Sequence, residues 1–104
     1  MQTIIILLDS QRLKNPDLDI ISIVPQEIEA ATNSTVYDSG YDYISRNVIG
    51  MWLAAENAEA GYLAVLELLR SKKFFGNDLS ASAEVYISEN ECANLEICRK
   101  VYSE

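Results

Sequence analysis

Sixteen acidic side chains and no histidine are what this chain offers to chemistry. Without an imidazole it lacks the commonest general base near neutral pH and the commonest metal ligand, and no Ser-His-Asp or Cys-His system can form within it. Ser10 and Ser80 have no activating base beside them. Asp17-Leu18-Asp19 presents two hard oxygen ligands that magnesium or calcium could use, but a calcium site takes about six to eight oxygens, so a solvated loop with Asp capping a turn is the better reading. Asp38 and Asp42 could be paired as acid and base, as in glycoside hydrolysis. No sugar-stacking tryptophan accompanies them, since Trp52 falls in an apolar strand, and aspartates of a surface turn explain them better. Zinc would depend on Cys92, Cys98 and carboxylates, an uncommon set. Gly40 and Gly50 form no GxGxxG pattern and no phosphate loop with lysine is present. The expectation is a binding protein with no catalytic residues, no metal and no cofactor.

A second group of residues points to binding. Tyr37, Tyr41 and Tyr43 interleave with Asp38 and Asp42. If the segment is extended, Tyr41 and Tyr43 share one face and Asp42 takes the other. Tyrosines among acids have the composition of a protein-binding hot spot; equally, tyrosine is a good strand former whose hydroxyl reaches water. Charge adds to the first reading. The chain carries eight bases against its sixteen acids, a net charge of −8. Between Lys14 and Arg46 lie Asp17, Asp19, Glu27, Glu29, Asp38 and Asp42 with no base. Between Lys73 and Arg99 lie Asp78, Glu84, Glu89, Glu91 and Glu96, again with none. Such a field repels phosphate backbones and anionic lipid, so neither direct nucleic-acid nor membrane binding is expected, and it attracts a basic partner; solubility alone would also account for it. The expected contact residues are Tyr37, Asp38, Tyr41 and Asp42, with Asp17 and Asp19 at the rim. The competing surface is the stretch from Asp78 to Glu96, with Glu89 and Glu91 at a hairpin tip.

These residues must be held by a small set of elements. Residues 3–8 form a β-branched apolar run that reads as a strand buried on both faces. Residues 9–19, with Asn15-Pro16, read as a turn containing at most one helical turn. Pro25 suits the first turn of a short helix over 26–32, with Glu27 and Glu29 near its positive end and Asn33-Ser34 stopping it. Residues 35–44 read as two extended pieces around an Asp38-Ser39-Gly40 turn. Residues 47–54 are a further strand, where Gly50 marks a bulge or a close backbone approach. Asn57 caps a helix to about Lys73 whose Ala58, Tyr62, Val65, Leu66 and Leu69 face the sheet, and Gly76 ends that element. Strands follow at 84–88 and 94–102, the latter alternating with Leu95, Ile97, Arg99 and Val101 on one side. The order β-α-β-β-α-β-β predicts an α+β fold: a split βαβ, ferredoxin-like sandwich with a mainly antiparallel sheet and both helices on one face.

The bulk properties fit one domain over residues 1–104. At 49% hydrophobic and 23% charged residues, the chain can bury a core without staples. No Lys or Arg precedes Arg12, Asp9 ends the first apolar run, and no stretch approaches the roughly 20 apolar residues that span a bilayer, so a cytoplasmic protein is expected. On one extended strand Cys92 and Cys98 would lie roughly 20 Å apart, too far for a disulfide; a turn between them would remove that objection.

Three segments, Leu13-Lys14-Asn15-Pro16-Asp17-Leu18-Asp19, Gly40-Tyr41-Asp42-Tyr43 and Gly76-Asn77-Asp78-Leu79-Ser80, resemble in order and spacing a family of small bacterial immunity-type proteins found beside polymorphic and contact-dependent growth inhibition toxins. The resemblance spans about residues 13–80. It implies an acidic αβ protein that binds the cognate toxin's C-terminal domain, often a nuclease, and blocks it by occlusion. The alternative is a small regulatory or ligand-binding ferredoxin-like module acting as a homodimer. A tight one-to-one complex with a basic protein would favour the first, a concentration-dependent dimer with a ligand-induced melting shift the second.

Overall fold

Six consecutive residues, Thr3 to Leu8, are buried in β1 (Gln2–Asp9), so this strand is covered on both faces and must sit inside its sheet. The computed structural model, which describes residues 1–104, places it third of five, between β3 (Val48–Ala55) and β4 (Ala83–Ser88). β2 (Val36–Tyr43) forms one edge beyond β3 and β5 (Arg99–Tyr102) the other beyond β4. Every pairing is antiparallel. Helix α1 (Ile20–Ala31) joins β1 to β2 and α2 (Ala58–Ser71) joins β3 to β4, each connection passing over one intervening strand. This is the split βαβ sandwich, ferredoxin-like, with one further edge strand. One core of Ile4, Ile6 and Leu8 with Met51, Leu53, Val85 and Ile87 is roofed by Val24 and Ile28 from α1 and by Val65, Leu66 and Leu69 from α2. No helix is long and apolar enough to cross a membrane.

Helix α1 starts six residues earlier than the sequence suggests, and Pro25 lies inside it. Ile20, Val24 and Ile28 fall at i, i+4 and i+8, and all three are buried. The first turn is secured by the Asp17 and Asp19 carbonyls, which accept from Ile20, Ser22 and Ile23 at 2.9–3.2 Å. That apolar stripe outweighs the one backbone bond a proline removes. Glu27 and Glu29 therefore sit far from the helix's positive end, and Glu27 instead pairs with Lys72 across to the end of α2 at 3.0 Å.

Three further expectations change, the first through pairing with a distant strand and the other two through local turns. Residues 36–43 are one strand, not two pieces around a turn. Asp38 pairs with Leu53 and Tyr41 with Met51, so Ser39 and Gly40 bulge out opposite Trp52, with Gly40 at φ 105° and its N–H donated to Asp38 Oδ1 at 2.9 Å. The reversal comes later, over 44–47. Gly76 does not stop α2, which ends at Ser71; it shares with Phe75 the centre of a tight turn in which both have positive φ and Phe74 and Asn77 exchange backbone hydrogen bonds. The last strand begins only at Arg99, because Leu95–Ile97 forms a 3-10 turn.

The connection from Glu89 to Cys98 folds over the sheet face opposite the helices. Thr3 Oγ1 donates to the Asn90 carbonyl at 2.7 Å and accepts the Ala93 N–H at 3.0 Å, while the Trp52 indole N–H donates to the Ala93 carbonyl at 2.9 Å. Trp52 lies across Gly50, where a Cβ would stand 2.6 Å from the indole ring, so Gly50 marks a close approach and not a bulge. This cover accounts for the burial of Thr3. The same folding back removes the extended geometry on which the cysteine distance argument rested. Both cysteines are free thiols: Cys92 is exposed, and Cys98 is half-buried, which pushes its thiol pKa up.

Candidate partner-binding surface

Residues 13–19 have no regular structure of their own to fix them, so something else must. Asn77 supplies it. Its side chain is almost fully buried, its Oδ1 accepts the Asn15 N–H at 2.8 Å, and its Nδ2 donates to the Asn15 carbonyl at 2.6 Å. Asn15 returns a longer bond, 3.4 Å, to the Phe75 carbonyl. Within the loop, Asp17 Oδ1 accepts the Asp19 N–H at 2.9 Å, so the Asp17 carboxylate organises a turn while that of Asp19 makes no capping bond. Asn77→Ala should cost about 1–3 kcal/mol, because it strands two backbone groups of Asn15 in partly buried surroundings. Urea unfolding measures this; an unchanged midpoint would mean the loop is held by other contacts.

So anchored, the loop forms one wall of a cleft of about 360 Å³ at the end of the sheet. Its floor is Leu8, Ile20 and Ile49; Leu13, Pro16, Asp17 and Leu18 line the loop side, and Tyr43, Arg46 and Asn47 line the side of the β2–β3 hairpin. Apolar side chains are exposed at and beside this hairpin and loop: Leu18 at 70%, Tyr41 at 58%, Tyr43 at 56% and Ile44 at 41%. The Tyr41 and Tyr43 rings meet edge to face, 6.5 Å between centroids, a geometry that holds each in place. The register places both tyrosines on the helix side of β2 and turns Asp42 to the other side.

The expected contact residues thus divide between two faces. Tyr41, Asp38 and Asp17 belong with the cleft side, and Asp19 is exposed at the start of α1. Tyr37 and Asp42 face the other way. Tyr37 is half-buried and lines a small cavity of about 90 Å³ with Ser39, Trp52 and Glu91. That cavity brings part of the competing acidic stretch, Glu91, against the first one. Tyr43, Leu18, Ile44 and Arg46 were not among the expected contacts. The signal was present for Tyr43, at alternate spacing from Tyr41, and for Leu18, an apolar residue between two aspartates.

Acids outnumber bases at this end, where Arg46 is the one base in the cleft's lining. The three ion pairs, Lys72 with Glu27, Arg99 with Glu59 and Lys100 with Glu84, all lie elsewhere. Asp17, Asp19, Asp38 and Asp42 have no cationic partner within the chain, and no group of three or more acidic or cysteine side chains is arranged to hold a metal ion. Comparisons of the chain with protein-family models, with curated proteins and with solved structures found no match. What fold and surface define together is a ferredoxin-like domain with an acid-rimmed apolar cleft at one end.

Proposed function

We propose that this chain is an immunity-type protein that binds a basic toxin domain in the cytoplasm and stops it by occlusion, performing no chemistry of its own. The observation that carries the reading is the exposed set Leu18, Tyr41, Tyr43 and Ile44 on the side that also carries Asp17, Asp19 and Asp38, none of them ion-paired within the chain. Rigid aromatic area supplies affinity after desolvation, while uncompensated acids steer a basic partner and match the Lys and Arg of a phosphate-binding groove. The resemblance of the 13–19, 40–43 and 76–80 segments to immunity-type proteins points the same way, and two of those segments meet here through the Asn15–Asn77 contact.

The test is to co-express the chain with the C-terminal domain of a large secreted toxin encoded beside it and measure survival, then the affinity of the purified pair. Rescue with a one-to-one complex is expected; a toxin that stays active in the presence of excess chain overturns the reading. The association rate should also fall several-fold as salt rises through the range where the Debye length shrinks to about 8 Å, with much less change in dissociation. An association rate indifferent to salt would take charge out of the mechanism.

A further inference from the structure

The cations of this acidic chain are not spread evenly. Three of the eight bases, Lys72, Arg99 and Lys100, are consumed in ion pairs, and Arg70 lies over the Tyr102 ring. Three of the remaining four, Arg12, Lys14 and Lys73, line a single cleft of about 280 Å³ on the far side of the 13–19 loop. None of them is ion-paired. The Arg12 guanidinium is fixed at its lip by donating to the Ala81 carbonyl at 2.8 Å and the Ser82 carbonyl at 3.4 Å, which leaves other N–H donors free.

Ser82, in the same wall, is 5% exposed, and its hydroxyl is buried without a hydrogen-bond partner. Buried polar atoms in that condition are few in folded proteins and call for an explanation. The one acid of the wall, Asp78, has its Oδ1 engaged by the Ser80 N–H at 3.1 Å and the Ser80 hydroxyl at 2.5 Å. Asp9 and Glu84 lie beyond Arg12 and Ser82 in the adjoining cavity.

We propose that the cleft lined by Arg12, Lys14, Lys73 and Ser82 is a binding site for a small phosphate-bearing anion. A guanidinium fork with two ammonium groups suits a tetrahedral dianion, and the Ser82 hydroxyl, released by a small rotation, would gain the partner it lacks. The volume accommodates a phosphate group with several waters, each occupying about 30 Å³. The net charge of −8 restricts what can enter. A polyanion such as nucleic acid meets the whole acidic field, whereas a small ion feels mainly charges within a Debye length of about 8 Å, where these three cations offset Asp78 in the wall and Asp9 and Glu84 next door.

The test is a titration of the ¹⁵N-labelled chain with inorganic phosphate at constant ionic strength balanced by chloride, repeated with a phosphate monoester such as glucose 6-phosphate. Saturable amide shifts at Arg12, Lys14, Lys73, Gly76, Asn77 and Ser82 are expected, and the stronger of the two arms identifies free or esterified phosphate as the ligand. Lys14→Gln with Lys73→Gln, both exposed, should weaken binding about tenfold or more with an unchanged melting temperature. Ser82→Ala should weaken it several-fold while leaving the fold intact, since it removes an unpartnered group. Shifts that never saturate, that chloride reproduces, or that survive the double substitution would overturn the proposal. None of these outcomes depends on the toxin.

Discussion

Leu66→Ala will lower folding stability by about 2–5 kcal/mol and leave partner affinity unchanged once the variant is folded. Leu66 is 6% exposed in the core cluster, on the same side of α2 as Val65 and Leu69 and facing the sheet. Removing the isobutyl group discards its transfer free energy and leaves a cavity. The walls of that cavity, an antiparallel sheet and two helices, can close only in part. Helix α2 also lies away from the 13–19 loop's cleft, whose lining includes none of its residues. Chemical denaturation gives the stability and titration with toxin the affinity. Wild-type stability combined with lost binding would show that α2 belongs to the interface and not to the core.

Reversing charge on β2 will separate the two acidic surfaces. Asp38→Lys with Asp42→Lys is expected to cost two or more kcal/mol of binding, about 30-fold in affinity. Glu89→Lys with Glu91→Lys is expected to cost much less. All four side chains are exposed, so the folds should survive. Asp38 alone has a local task, accepting the Gly40 N–H in the bulge, and its loss should destabilise by about 0.5–1.5 kcal/mol. The geometry makes the comparison demanding, because Asp38 and Asp42 lie on opposite sides of an edge strand and Glu91 lies near Tyr37 on the side that Asp42 faces. A partner that grips the edge of β2 contacts both sides of it and is sensitive to the first variant. If only the second variant loses binding, the interface is the connection over the open face, and the assignment to β2 fails.

Much of the architecture was legible because hydrophobic periodicity is a local record of which faces are buried. The run from Ile4 to Leu8 announced a central strand. The Asn57 cap with the Ala58, Val65, Leu66 and Leu69 spacing announced a helix laid on a sheet. The errors fell where a local signal competed with a distant one. Pro25 and the Asp38-Ser39-Gly40 triplet are breakers in isolation, yet burial of Ile20, Val24 and Ile28 holds α1 together and pairing with β3 turns the triplet into a bulge. Alternation from Leu95 to Val101 suggested a long strand, but the strand is only the four residues Arg99–Tyr102, three of them in register with β4.

By itself the sequence determined the fold class: the order of elements admits few packings, because short apolar elements must cover one another's faces, and the absence of histidine excludes only the catalytic designs that need an imidazole. It also determined the sign of the field around the molecule, since net charge is a sum that folding does not alter. Only the tertiary structure decided where charge and apolar surface meet. Asn77 must cross 62 positions of sequence to hold Asn15 and so raise the loop that walls the cleft. Trp52 and Ala93 must join across 41 positions to close the open face. Two backbone hydrogen bonds from one buried amide, and one from an indole, leave no periodic trace in the chain, because each depends on a single pair of residues that only the tertiary fold brings together.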